Sequence, residues 1–132
     1  MLAQSCYDLP FRLLRTALVI AVVSTAGSVW ANPPGLPSAA DRPIEFAQDI
    51  RALFEGSCVA CHAGDNQQGG FRIGTRSEFL QGGDSGAAVM PGNSADSLLV
   101  QLVAGLDADR VMPAKGPRLT SEQVGLLRAW ID

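Results

Sequence analysis

Near the middle of the 132-residue chain, Cys58-Val59-Ala60-Cys61-His62 sets two thiols three positions apart and places an imidazole directly after the second. This C-x-x-C-H arrangement follows a stripe of apolar residues, Phe46, Ile50, Leu53 and Phe54, whose spacing is that of one face of a helix. Two thiols at this spacing reach the two vinyl groups on one edge of a haem, and the adjacent imidazole is then held against the iron. The motif thus points to one covalently bound haem c, with Cys58 and Cys61 as the thioether sulfurs and His62 as an axial ligand.

Three other uses of the motif fit less well. A thioredoxin-like C-x-x-C follows a strand in a βαβ unit, whereas this one follows a helical stripe in a chain with no run suited to a sheet. A structural zinc site needs four ligands. A bare disulfide across so short a loop would be strained and would leave His62 without a role.

The first 31 residues read as a secretory signal. Arg12 and Arg15 precede the apolar run Ala17–Val23, and Val29-Trp30-Ala31 ends in small residues suited to cleavage after Ala31. The run is shorter than the roughly 20 residues of a spanning helix, so membrane contact is expected only in transit. Cleavage removes Cys6 and leaves Cys58 and Cys61 as the only cysteines. Export to a periplasmic or other extracytoplasmic compartment is expected, where unprotected thiols oxidise unless bonded. The loss of Arg12, Arg15 and Asp8 makes the net charge one unit more negative than −3. That balance gives no clustered basic surface for nucleic acid.

Residues 32–43 are rich in proline and small residues and read as a flexible leader, so the folded domain is expected over 44–132. The first helix is expected to close at Gly56. Thr75 with Glu78 and Thr120 with Gln123 each fit a capping box, and Ser94 with Asp96 offers a third helix start. Leu98, Leu99, Leu102 and Val103 should then form a buried face ending at Gly105. Val124, Leu127, Trp130 and Ile131 should form another. Glycines punctuate the loops between them, and the fold class is all-α, with four to five short helices.

His62 is the only histidine in the chain, so the second axial ligand is Met112, Met90, water or nothing. Both methionines stand in a Val-Met-Pro tripeptide. A thioether ligand raises the reduction potential and leaves no open position for substrate.

Several blocks resemble the planctomycete-type cytochrome c domain. They are Phe46–Arg51, Cys58–His62, Gly69–Ile73, Gly82–Gly86, Pro91-Gly92-Asn93, Ser97-Leu98-Leu99, Met112-Pro113, Leu119-Thr120 and Leu127–Ile131. The chain departs from that pattern at Ala52, where proline is common, and at Met90, where an aliphatic residue is usual. The resemblance implies the class I cytochrome c fold, in which the first and last helices cross beside the haem, so that Phe46 and Ile50 meet Leu127 and Trp130. It also favours Met112, on the loop before the last helix, as the second ligand. Members are often the first module of longer exported proteins. The function implied is single-electron transfer with redox partner proteins rather than catalysis. The alternative is a haem-based gas or redox sensor, or the haem subunit of a larger exported enzyme, with an open sixth position. Lys115 and Arg118 flank the Met112 loop and offer a positive rim to an acidic partner.

Overall fold

The computed structural model describes residues 34–132, and the signal segment with Cys6 lies outside them. A π-helical turn, Phe46–Ile50, runs directly into α1, Arg51–Ser57, and α2, Val59–His62, follows after one residue. A 3₁₀ turn, Gln68–Gly70, leads to α3, Arg76–Gln81, then α4, Leu98–Val103, and α5, Ser121–Ile131. Among the described residues there is no strand, and the only bridge joins Gly83 and Gly86 across a tight turn. The all-α class follows.

The core lies where α5 meets α4 and the first helical segment. Ile50 and Val100 are fully buried, and Val124 and Leu127 are nearly so. Each such side chain contributes roughly 1.5–3 kcal/mol through burial. Phe46 lies over Trp130 with ring centroids 5.6 Å apart, and Phe54 meets the same indole edge-on at 5.9 Å. The first and last helical segments therefore pack through aromatic rings. Phe46 itself remains 42% exposed, because it starts the π turn at the margin of this contact.

Two of the expected helix starts form, and one of them has the full capping box. Thr75 accepts from the Glu78 amide, and at Thr120 both halves of the capping box are present. The third does not. The N-cap of α4 is Ser97, and Ser94 instead donates to the Asp132 carboxylate at 2.7 Å and accepts from Arg128 Nε at 3.1 Å. A carboxylate and a guanidinium outbid a helix terminus for the hydroxyl, because charged hydrogen bonds are the stronger ones. Gly56 does not close α1 either. It sits inside the helix with open space at its Cβ position, and the helix ends at Ser57.

The flexible leader is also corrected, from Leu36 onward. Leu36 is buried in the core, the Pro37 carbonyl accepts from Arg128, and the Ala40 amide donates to the Gly125 carbonyl at 3.0 Å. Gly125 explains how. A Cβ there would lie 2.7 Å from the Ser38 carbonyl oxygen, so only glycine lets the segment lie flat on α5. Further on, Arg42 grips the Asp49 carboxylate with both terminal nitrogens, at 3.1 and 2.6 Å. Among the described residues, no helix is long and apolar enough to cross a membrane.

Candidate functional site

The C-x-x-C-H motif is itself a turn of helix. Cys58 caps α2, and its carbonyl accepts from the amides of Cys61 and His62 at 3.1 and 3.0 Å. Positions i, i+3 and i+4 share one helix face, so Cys58, Cys61 and His62 turn inward together while Val59 and Ala60 are exposed. All three border one cavity of about 340 Å³.

The rest of that cavity is largely apolar. Phe54, Phe71, Phe79, Ile73 and Ala88 form part of the wall. Leu98, Leu99 and Leu102 of α4 form another part, with Val103. This refines the reading of α4. Val100 turns into the protein core, whereas the three leucines are only half-buried and line the cavity together with Val103. All four residues of the face that looks buried in the sequence thus line the site.

Met112 enters the wall from the loop ahead of α5, with Pro113, Ala114 and Lys115 beside it. Its amide donates to the Leu102 carbonyl at 3.1 Å, which anchors this loop to the end of α4. Gly105, with φ +73°, and Leu106 close that helix end. Their amides bond the carbonyls of Leu102 and Gln101, the double cap of a Schellman motif. Met90 lies elsewhere. It is 46% exposed, it does not line the cavity, and its amide is tied to the Ser97 hydroxyl at 2.9 Å. Two cysteines, the histidine and one of the two candidate methionines therefore meet around a single space.

His62 is held at two points by the strip of chain that follows the 3₁₀ turn. Its carbonyl accepts from the Ile73 amide at 2.9 Å, and its Nδ1 lies 3.2 Å from the Phe71 carbonyl oxygen. A carbonyl only accepts, so this contact requires the proton on Nδ1, and Nε2 keeps its lone pair free to bind a metal. Nothing in the sequence marks the Phe71 carbonyl, because any residue carries one. Burial pushes the Cys58 thiol up to about 11, so it is protonated at neutral pH. Both cysteines are half-buried, and no disulfide joins them.

The donor set fits haem c. Two thiols, an imidazole with a free Nε2, a thioether and apolar walls are groups that can hold a covalently attached haem. Among the described residues, no group of three or more His, Cys, Asp or Glu side chains is placed to hold a metal ion. Lys115 is the one lysine or arginine on the wall, and Arg118 stands outside it.

No curated protein and no solved structure matches the chain. Residues 58–116, from the first cysteine of the motif to just past the Met112 loop, match the family model described as Planctomycete cytochrome C.

Proposed function

Starting from that match, which agrees with the resemblance in the sequence, we propose that this domain is an exported mono-haem c-type cytochrome of class I fold that passes single electrons between protein partners. The observation that carries the reading is the meeting of Cys58, Cys61, His62 and Met112 around one apolar cavity. Cys58 and Cys61 would hold the haem through thioether links, and His62 and Met112 would bind its iron from two sides. The bound haem supplies the one-electron ferrous–ferric couple.

The chain's own residues do the rest. The Phe71 carbonyl keeps the Nδ1 proton in place and so makes the imidazole a better donor. The leucines of α4 and the rings of Phe54, Phe71 and Phe79 exclude water. With His62 and Met112 both bound to it, the iron would have no site left for substrate, which supports a carrier rather than a catalyst. Lys115 and Arg118 offer positive charge beside the Met112 loop to an acidic redox partner. The sequence of residues 1–31 supports export.

The test is expression with export in a host that attaches haem c, followed by a haem stain on a denaturing gel and a pyridine haemochrome spectrum. Stain that travels with the polypeptide and a spectrum of two thioether links are expected. Colourless protein, made beside a control cytochrome that matures in the same cells, would overturn the reading.

A further inference from the structure

The strip that carries the Phe71 carbonyl packs against a second loop, whose Gly83, Ser85 and Gly86 also line the cavity. The strip begins at Gly69 and rests against the turn Gly82–Gly86. The Asp84 amide donates to the Gly69 carbonyl at 2.8 Å. A Cβ built on Gly83 would overlap the Gly69 carbonyl oxygen, and it would lie 2.8 Å from the Phe71 amide nitrogen and 3.1 Å from Phe71 Cα. All three neighbours are backbone, which has no rotamer by which to give way. The two strips therefore approach as closely as bare backbone allows.

We propose that Gly83 is a positioning residue for the axial histidine: its missing side chain sets how far the Phe71 carbonyl reaches toward His62 Nδ1. The inference rests on the reading of His62 as a haem ligand. An added methyl at Gly83 pushes the Gly69–Phe71 backbone toward the cavity or along it. The hydrogen bond at 3.2 Å is already near the long end of its range, so a displacement of a few tenths of an ångström breaks it. The imidazole then loses its fixed orientation and part of its electron donation, which favours the reduced state. Gly70 meets the same seam from the other side. Its φ of +67° disfavours any side chain, and its Cβ would overlap the Asp84 carboxylate and lie 3.3 Å from the Asp84 amide.

The experiment compares the haem-loaded wild-type protein with Gly83→Ala, Gly70→Ala and Val100→Ala. Val100 is fully buried and does not line the cavity, so its truncation loosens the fold without touching the seam. Two quantities are read: the reduction potential, and the solvent exchange of the histidine Nδ1 proton by NMR. The second has a single source, because the chain has one histidine. Gly83→Ala should raise the potential and speed that exchange about tenfold, as loss of a hydrogen bond of about 1.4 kcal/mol would. Gly70→Ala should move both in the same direction, which keeps the test alive if Gly83→Ala does not fold. Val100→Ala should lower thermal stability and leave both readings in place. The proposal is overturned if the glycine variants load haem with potential and exchange unchanged, or if Val100→Ala shifts them equally. Wild-type protein that carries no haem would instead sink the proposed function.

Discussion

Met112 and Met90 carry the same thioether in the same Val-Met-Pro setting, and only their surroundings separate them. Met112 stands in the wall of the cavity and packs against the core, whereas Met90 is 46% exposed. Met112→Ala should therefore abolish the far-red thioether band of the ferric form and let the ferrous form bind carbon monoxide, while Met90→Ala should leave both properties unchanged. Absorption spectra of the two variants check this, and a band that survives Met112→Ala would contradict the assignment. The sequence names both candidates because chemistry is local, but it cannot rank them without the resemblance, because a wall is assembled from distant segments. The same limit hides the Phe71 carbonyl. It also hides Ser94, whose partner Asp132 is 38 residues away.

At the scale of the element, the last helix and the first are held by different devices. The α5 start has a complete capping box, in which the Thr120 hydroxyl accepts from the Gln123 amide at 3.2 Å and Gln123 Oε1 accepts from the Thr120 amide at 2.8 Å. Thr120→Ala should cost about 1 kcal/mol and lower the melting temperature by about 5 °C, as read by calorimetry. The start of the first helical segment has no side-chain cap of its own, and Asp49 serves it from one turn inside. Its carboxylate accepts from Arg42 and from the Glu45 amide at 2.9 Å, and these bonds, the Arg42 bond first, hold its pKa below 3.8. A carboxyl depressed in the folded state stabilises above its unfolded value and loses that contribution as the pH falls through the folded value. The stability difference between wild type and Asp49→Asn should thus be constant near neutrality and close below pH 3.8. Denaturant titrations across acid pH would show it, and a difference that persisted in strong acid would count against the clamp. The difference itself should be small, because the pair is exposed. Helix starts with a capping pair were legible in the sequence, since both partners lie within three residues. The Arg42–Asp49 clamp was not, because Arg42 falls in a stretch whose prolines look like a linker.

For the whole molecule, the packed leader changes where the domain begins. Composition alone argues for a loose segment over 32–43, and one leucine among prolines, glycine and serine carries no periodic signal. Yet Leu36 is 7% exposed, and the buried Arg128 bonds the neighbouring Pro37 carbonyl. Leu36→Ala should cost about 2 kcal/mol. A chain that starts at Ile44 should lose more, because it also removes a partner of a buried guanidinium. Urea unfolding of the two variants would measure the order, and equal stability of wild type and the shortened chain would return the leader to a linker. The one residue in the sequence that could have pointed to this packing is Gly125, unfavourable in the middle of a helix unless another backbone lies against it.

The aromatic contacts have a practical consequence in light rather than in stability. Trp130 lies 5.5 Å, ring to ring, from Phe79, and Phe79 lines the cavity, so the indole stands one ring away from the place where a haem would absorb. A chain cut after Ala31 would have no other tryptophan, since the second of the two is Trp30. Its fluorescence is then a built-in gauge of loading. Emission should be almost wholly quenched in the haem-bound protein and restored in Cys58→Ala/Cys61→Ala protein that carries none, so that a fluorimeter can follow maturation without a label.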